Sequence, residues 1–239
     1  MPYPYTFAAA ALLASVCIFG GRLRARSHHR RWISIAAGVS VATVFVDLLP
    51  EISERQAKFS ANATAGAALF PEQAVYLAAM LGFVLFYGLE YMVAASPSGE
   101  RVDSVVTFSL RIATFAGYSG LIAYLLVDNS WKGVQSLLLY SLAMAFHMLL
   151  VDHSLAEQGG EMYERRGKWI LVLALMAGWS LGIITSIPEL WLARITGFVC
   201  GGVIMNSLVV ELPEGRGGRF WFFVLAAAAY AFVLIRVLR

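Results

Sequence analysis

The chain has 239 residues, of which 59% are hydrophobic and 14% charged, and its mean hydropathy is +0.71. A soluble domain usually carries about 25% charged residues, so this composition excludes an ordinary soluble protein. The net charge of +3 reflects membrane topology rather than nucleic-acid binding. We therefore expect a single transmembrane domain, residues 1–239, that has the lipid bilayer as a partner and binds no nucleic acid.

Eight apolar stretches follow one another with short connections, and each approaches the roughly 20 residues that a membrane span needs. The predicted fold class is therefore all-α, a polytopic membrane protein with eight transmembrane helices. Residues 158–168, QGGEMYERRGK, are expected to be a polar connection between the fifth and sixth spans. The spans are predicted at 5–21, 32–50, 74–95, 104–127, 134–156, 168–186, 190–212 and 219–238.

Basic residues are concentrated in alternate connections, beginning with RLRARSHHRR after the first span. Because cytoplasmic loops carry an excess of Lys and Arg, these connections should be cytoplasmic and both termini outside. The predicted location is the plasma membrane or the bacterial inner membrane. Arg111 and Arg194 lie inside spans, and we expect both to extend their charged groups to the interface.

The fifth span carries His147 near its middle, followed by Asp152 and His153. An ionisable group at that depth costs several kcal/mol unless it is paired, hydrated or bound to a cation. Two interpretations remain open for His147. It is either a core histidine hydrogen-bonded to a Ser or Tyr of a neighbouring helix, or part of a cation site. Asp152 and His153 are expected nearer the cytoplasm, either lining an exit or pairing with Arg165 or Arg166.

Two spans end in similar acidic sequences, VDLLPE in the second and VELPE in the seventh. Residues three or four apart share one helix face, so Asp47 with Glu51, and Glu211 with Glu214, can each direct two carboxylates to one cavity. Oxygen ligands combined with an imidazole suit zinc, iron or manganese. The two spans are predicted to run in opposite directions, which favours the inverted repeat of a secondary transporter.

Small residues at four-residue spacing allow helices to approach closely in lipid. Gly178 and Gly182 in the sixth span, and Gly197 and Gly201 in the seventh, are expected to serve helix packing. No P-loop or nucleophile elbow is present in the sequence, which argues against an ATP-driven pump.

Three segments resemble the ZIP (Zrt/Irt-like) metal transporters. The end of the second span is similar to the family's hLLPE, with Asp47 where a His is frequent. LGFVLFYGLE in the third span and GFVCGGVIMNSLVVELPE in the seventh are similar to the corresponding family motifs. The resemblance implies eight spans, in which three-helix repeats, spans 1–3 and 6–8, flank spans 4 and 5 and the metal site.

The chain departs from the ZIP pattern in its fourth and fifth spans. The family carries a His, followed four residues later by an acid, where this chain has Tyr118 and Ile122. In the fifth span only His147 remains of the family's ligands. The resemblance carries over His147 and Glu211 as metal ligands and Asp47 as a weaker candidate. Glu51, Glu214, Asp152 and His153 are expected along the ion pathway.

The predicted function is non-enzymatic: transport of a divalent, zinc-like metal ion by alternating access. No tightly bound cofactor is expected, and a homodimer is left open. One alternative is a ZIP-fold regulator or binding module that has lost its metal site. A further alternative is an intramembrane zinc hydrolase, which would need about three converging ligands from Asp47, His147, Asp152 and His153.

Overall fold

The computed structural model describes residues 3–24, 29–54, 73–95, 101–128, 133–211 and 220–237. All secondary-structure elements within these ranges are helical, which confirms the all-α part of the predicted fold class. The helices are α1 Tyr3–Arg24, α2 His29–Thr43, α3 Ala74–Ala95, α4 Arg101–Asp128, α5 Val134–Met162, α6 Lys168–Ile184, α7 Glu189–Glu211 and α8 Phe220–Val237.

Two π-helical turns extend these helices. Val44–Leu48 follows α2, and the chain stays helical to Glu54, beyond the predicted end of the span. Tyr163–Gly167 joins α5 to α6 within the segment predicted as a polar connection. That prediction was wrong in its secondary structure, because ion pairs at four-residue spacing, Arg165–Glu161 and Lys168–Glu164, support a helical conformation there.

Within the described ranges, seven continuous helical stretches are long and apolar enough to cross a membrane. Many of their large apolar side chains are exposed, among them Leu173 at 70% and Leu225 at 65%. A soluble protein rarely exposes such extensive apolar surface, and a lipid bilayer accepts it. The chain is therefore an integral membrane protein.

The longest stretch, Val134–Ile184, has 51 residues. A straight helix of that length would measure about 76 Å, more than twice the roughly 30 Å of a bilayer core. Gly160 interrupts it with φ +48° and ψ −127°. Glycine adopts positive φ without the strain that a Cβ would impose, so the chain can change direction at this residue.

Contacts made by α4 give the directions of α5 and α6. Along α4, successive residues meet progressively earlier residues of α5, since Arg111 contacts Ser154 and Tyr118 contacts His147. The same helix meets progressively later residues in α6, since Gly120 lies against Gly178 and Val127 lies against Gly182. Helix α4 is thus antiparallel to α5 and parallel to α6. The chain therefore reverses direction between α5 and α6, and we call this end of the bundle the Gly160 end.

The eight helices of the described ranges pack mainly in four pairs. The most extensive contacts pair α3 with α7, α4 with α6, α2 with α8, and α1 with α5. Helix α2 also contacts α5 and α7, and α1 contacts α6. The main hydrophobic core draws residues from every helix and is centred on buried side chains of α4, α5 and α7.

Glycines mark the closest helix approaches. Gly178 of α6 lies against the backbone of Gly120 in α4, and a Cβ at Gly178 would collide with it. Gly197 and Gly201 of α7 lie against the backbone of α3 in the same way. The prediction that these glycines serve packing is confirmed.

We predict that Gly178→Ala lowers the free energy of unfolding by about 1–3 kcal/mol, because the new methyl group overpacks a backbone contact. Gly117→Ala is the matched control on α4, since a Cβ there would have no heavy atom within 4 Å. The control should be neutral or should stabilise the helix by about 0.5–1 kcal/mol. Thermal unfolding in detergent measures both variants, and equal melting temperatures would contradict the packing assignment.

A candidate polar site at the centre of the bundle

His147 is completely buried at the middle of α5. Its Nε2 lies 3.0 Å from the hydroxyl oxygen of Tyr118 in α4. That hydroxyl also lies 3.2 Å from the carbonyl oxygen of Val199 in α7, to which it can donate. Three helices are therefore joined through one tyrosine, and the expectation of a hydrogen bond from His147 to a neighbouring Tyr or Ser is met.

The single hydroxyl proton of Tyr118 decides the state of the imidazole. When Tyr118 donates to the carbonyl of Val199, its oxygen accepts a hydrogen bond from Nε2–H of His147. The other ring nitrogen, Nδ1, then carries a lone pair. Nδ1 has no hydrogen-bond partner among the described residues, so it is the atom of this pair that can bind a cation or a proton donor.

Aromatic residues hold Tyr118 in place. The Phe86 ring of α3 packs edge-on against it, with centroids 4.8 Å apart, and Phe115 lies one turn away on α4 at 6.4 Å. Gly202 of α7 leaves room for the ring, because a Cβ there would lie 2.7 Å from Tyr118 Cε2. The position of the hydroxyl is thus fixed by packing from three sides.

Further polar groups are buried on the helices that meet at His147. Ser119 follows Tyr118 on α4, and Asn206 lies two turns beyond Val199 on α7, next to Ser207. The oxygens Ser119 Oγ and Ser207 Oγ and the nitrogen Asn206 Nδ2 have no partner in the part of the chain that the structure describes. These groups add buried polar atoms to α4 and α7 without adding a charge.

Asp47 and Glu51 lie near the end of the bundle opposite Gly160. Both are half-buried, and Asp47 belongs to the π-helical turn that follows α2. Their carboxylates lie within electrostatic range of Tyr140 in α5 and Cys200 in α7. The two acids therefore face the contact of α2 with α5 and α7. Tyr140 is seven residues before His147 on the same helix face, about 10 Å away along the axis.

Two predicted site residues, Glu211 and Glu214, are found in the sequence at and after the last residue of α7. Glu211 is its last residue, and nothing is described of its side chain. Glu214 lies outside the described residues, so the expected pairing of these two acids stays a prediction.

Asp152 and His153 lie toward the Gly160 end and have different surroundings. Asp152 is buried, accepts a 2.7 Å hydrogen bond from the hydroxyl of Tyr163, and packs against Gly20 of α1. His153 lies 3.7 Å from the largely exposed Glu157. Arg165, one suggested partner for Asp152, instead pairs with Glu161.

The sequence analysis missed a buried ion pair. Arg111 was expected to extend to the interface, but only 2% of it is exposed. Its Nη2 donates to Glu90 Oε1 of α3 at 2.5 Å and to Ser154 Oγ of α5 at 3.2 Å. Arg111 lies ten residues into α4, about 15 Å from the start of the helix. An arginine this deep in a span, with the acid Glu90 near the end of the preceding span, is the sequence signal that could have predicted the ion pair. Arg194 stacks on Trp191 near the start of α7, as expected of an interfacial arginine.

Among the described side chains, no three of His, Cys, Asp and Glu come together. Asp47, His147, Asp152 and His153 are all among the described residues. The two cysteines, Cys17 and Cys200, are buried on different helices. The site is therefore built around one imidazole and one phenol.

Comparisons with known proteins assign neither a family nor a function to this chain. No protein-family model matches the chain, and no curated protein matches it.

We predict that Tyr118→Phe lowers the free energy of unfolding by about 1–3 kcal/mol, because it leaves Nε2 of the buried imidazole without its partner. Tyr87→Phe is the matched control, since Tyr87 lies on α3 with 54% of its surface exposed. It should change stability by less than about 0.5 kcal/mol. Melting temperatures in detergent that are equal for the two variants would show that the hydrogen bond makes no net contribution.

Proposed function

We propose that this protein is an eight-span, ZIP-like membrane transporter that moves a divalent, zinc-like cation by alternating access. The proposal combines the motif resemblance with the packing of the helices around His147. The observation that carries it is the symmetry of the helix contacts, in which the contacts of α1–α3 correspond to those of α6–α8 when α4 and α5 are also exchanged.

The helix contacts support an inverted repeat. Each helix of the first half can be exchanged with its counterpart in the second half: α1 with α6, α2 with α7, α3 with α8, and α4 with α5. After this exchange, the helix pairs with the most extensive contacts are again pairs with extensive contacts. The pair α3–α7 becomes α8–α2, and the pair α4–α6 becomes α5–α1. Both members of each pair are in extensive contact. Oppositely oriented repeats around a central site are the architecture that alternating access uses.

Eight crossings follow from the reversal at Gly160, since α5 and α6 would then cross the membrane separately. Exposed Trp and Tyr side chains support this topology, because these residues concentrate at membrane interfaces. With alternating helix directions, all of the exposed Trp and Tyr residues except Tyr87 form one group at each end of the bundle. The groups are Tyr3, Tyr5, Tyr76 and Trp191 at the outer end, and Trp32, Tyr91, Trp169 and Trp221 at the Gly160 end.

The bias of basic residues puts the Gly160 end on the cytoplasmic side. Asp47 and Glu51 then lie at the outer mouth, where two carboxylates attract a cation. His147 lies at the centre of the bundle. Asp152 lies five residues further along α5, about 7.5 Å closer to the cytoplasm. A cation crossing the protein would meet these groups in that order.

The central donors fit weak and transient binding. Nδ1 of His147 is a neutral nitrogen ligand, and Ser119 on the neighbouring helix α4 carries a buried neutral oxygen. Zinc, iron and manganese accept such nitrogen and oxygen ligands. Glu211 would add a carboxylate from α7. Because the site has few charged ligands, their interaction with the ion only partly offsets the free-energy cost of removing its water. The ion can therefore leave the site as well as enter it.

The Tyr118–His147 hydrogen bond favours a second candidate function. The ZIP resemblance places a metal ligand at each of the two positions that Tyr118 and His147 occupy. In this chain the two side chains bond to each other instead, so Nε2 of His147 is not available to a metal. In that case the protein is a ZIP-fold membrane protein that binds or regulates without transporting.

Zinc influx into proteoliposomes that contain a fluorescent zinc indicator tests the proposal. We predict saturable influx with the wild-type protein. His147→Ala should reduce it by about tenfold or more, since even outer-shell partners of a metal contribute that much. His28→Ala is the control, in the first predicted cytoplasmic loop and outside the described residues, and it should leave influx unchanged.

Two outcomes would contradict the proposal. Absence of influx with correctly folded wild-type protein would favour the non-transporting candidate. Influx that is equal in the wild type and in His147→Ala would remove His147 from the pathway.

A further inference from the structure

We infer that the Glu90–Arg111 ion pair is a gate that closes the central site toward the Gly160 end. The inference rests on the proposed function, since a gate has meaning only if the central site opens to one side at a time. It concerns residues that the ZIP resemblance does not identify as ligands.

The ion pair ties three helices together. Arg111 of α4 donates through one nitrogen, Nη2, to Glu90 of α3 and to Ser154 of α5. The second carboxylate oxygen of Glu90 accepts a hydrogen bond of 3.3 Å from Gln158, also on α5. Separating α3 from α4 or α5 at this level therefore requires these bonds to break.

The pair lies directly between the central site and one end of the bundle. Arg111 is seven residues before Tyr118 on α4, and Ser154 is seven residues after His147 on antiparallel α5. Seven residues are about two turns, so each lies on the same helix face as its partner in the central site and about 10 Å away along the axis. The ion pair and the Tyr118–His147 pair are thus consecutive layers of one interface.

Aromatic contacts connect the two layers. The Arg111 guanidinium carbon lies 5.8 Å from the centroid of Phe115, and Phe115 packs against Phe86 with centroids 5.0 Å apart. Phe86 in turn packs on Tyr118. Because Phe86 is one turn from Glu90 on α3, a movement of α3 that releases Arg111 also shifts the ring that holds Tyr118.

The hydrogen bonding of Arg111 suits a pair that opens. Its Nε and Nη1 have no partner in the described part of the chain. A permanent buried arginine commonly uses its planar fork to make two parallel bonds to a carboxylate. Here one nitrogen serves both acceptors, and the Glu90 side chain keeps 16% of its surface exposed. Water or a departing cation can therefore reach Glu90 and compete with the guanidinium.

The test measures access to the layer between the two pairs. Val151 of α5 lies between His147 and Ser154 on the same face, and only 1% of it is exposed. In inside-out vesicles, Val151→Cys should react slowly with a small charged thiosulfonate. Adding Glu90→Gln should raise the rate about tenfold or more. The native cysteines are both buried, and the wild-type protein gives their background.

Glu161→Gln is the matched control, because it breaks the ion pair with Arg165 near the same end, where the two side chains are 75% and 76% exposed. It should leave the rate at Val151→Cys unchanged.

If Glu90→Gln alone fails to fold, the neutral double variant Glu90→Gln with Arg111→Met removes the pair without leaving a buried charge, and it should also raise the rate. The charge reversal Glu90→Arg with Arg111→Glu should restore a low rate.

Rates that do not respond to the folded Glu90 variants would overturn the gate. Labelling requires no transport, so the two proposals fail separately. A response in labelling without zinc influx in the wild type would support the gate and contradict the proposed function. Zinc influx in the wild type with unresponsive labelling would support the function and contradict the gate.

Discussion

A polar group inside a bilayer needs a partner from a neighbouring helix, and this requirement organises the bundle. Water is absent from the hydrocarbon core, so unsatisfied groups are costly there. Tyr118 meets the requirement by joining His147 to Val199 across three helices, and Arg111 does so by joining Glu90 to Ser154. Both connections involve α4 and α5. These two helices therefore form the polar centre, while the apolar faces of the outer helices are left to lipid.

Close backbone contacts make this centre possible. Gly120, Gly178 and Gly201 let neighbouring helices approach until backbones touch, and dispersion across such surfaces drives helix association in lipid. The contacts of α1–α3 correspond to those of α6–α8, and the helices of the two groups pack on each other, α3 on α7 and α2 on α8. In the proposed transport, the Glu90–Arg111 bond breaks at the Gly160 end. The close backbone contacts lie between α4 and α6 and between α3 and α7, and the polar connections join α4 to α3, α5 and α7.

The sequence predicted the features that follow from periodicity and composition, and it missed those that depend on three-dimensional partners. Spans such as 74–95 follow from hydropathy alone, and the glycine pairs follow from their spacing. The π-helical continuation through Tyr163–Gly167 was not predicted, because its charged residues resemble a loop until their four-residue ion pairs are seen. For His147 the sequence predicted a Ser or Tyr on a neighbouring helix as one possible partner, but not which residue it is. Identifying Tyr118 required the antiparallel register of α4 and α5, which no local pattern encodes.

The reversal at Gly160 is the central claim, since it makes α6 a separate crossing and relates the two halves by opposite orientation. The most direct test is the sidedness of two exposed positions on either side of α6, Glu161 and Ser186. Each is replaced by Cys and treated with a membrane-impermeant thiol reagent, before and after permeabilising the cells. The account predicts that Ser186→Cys reacts in intact cells, whereas Glu161→Cys reacts only after permeabilisation. Reaction of both positions from the same side would contradict it.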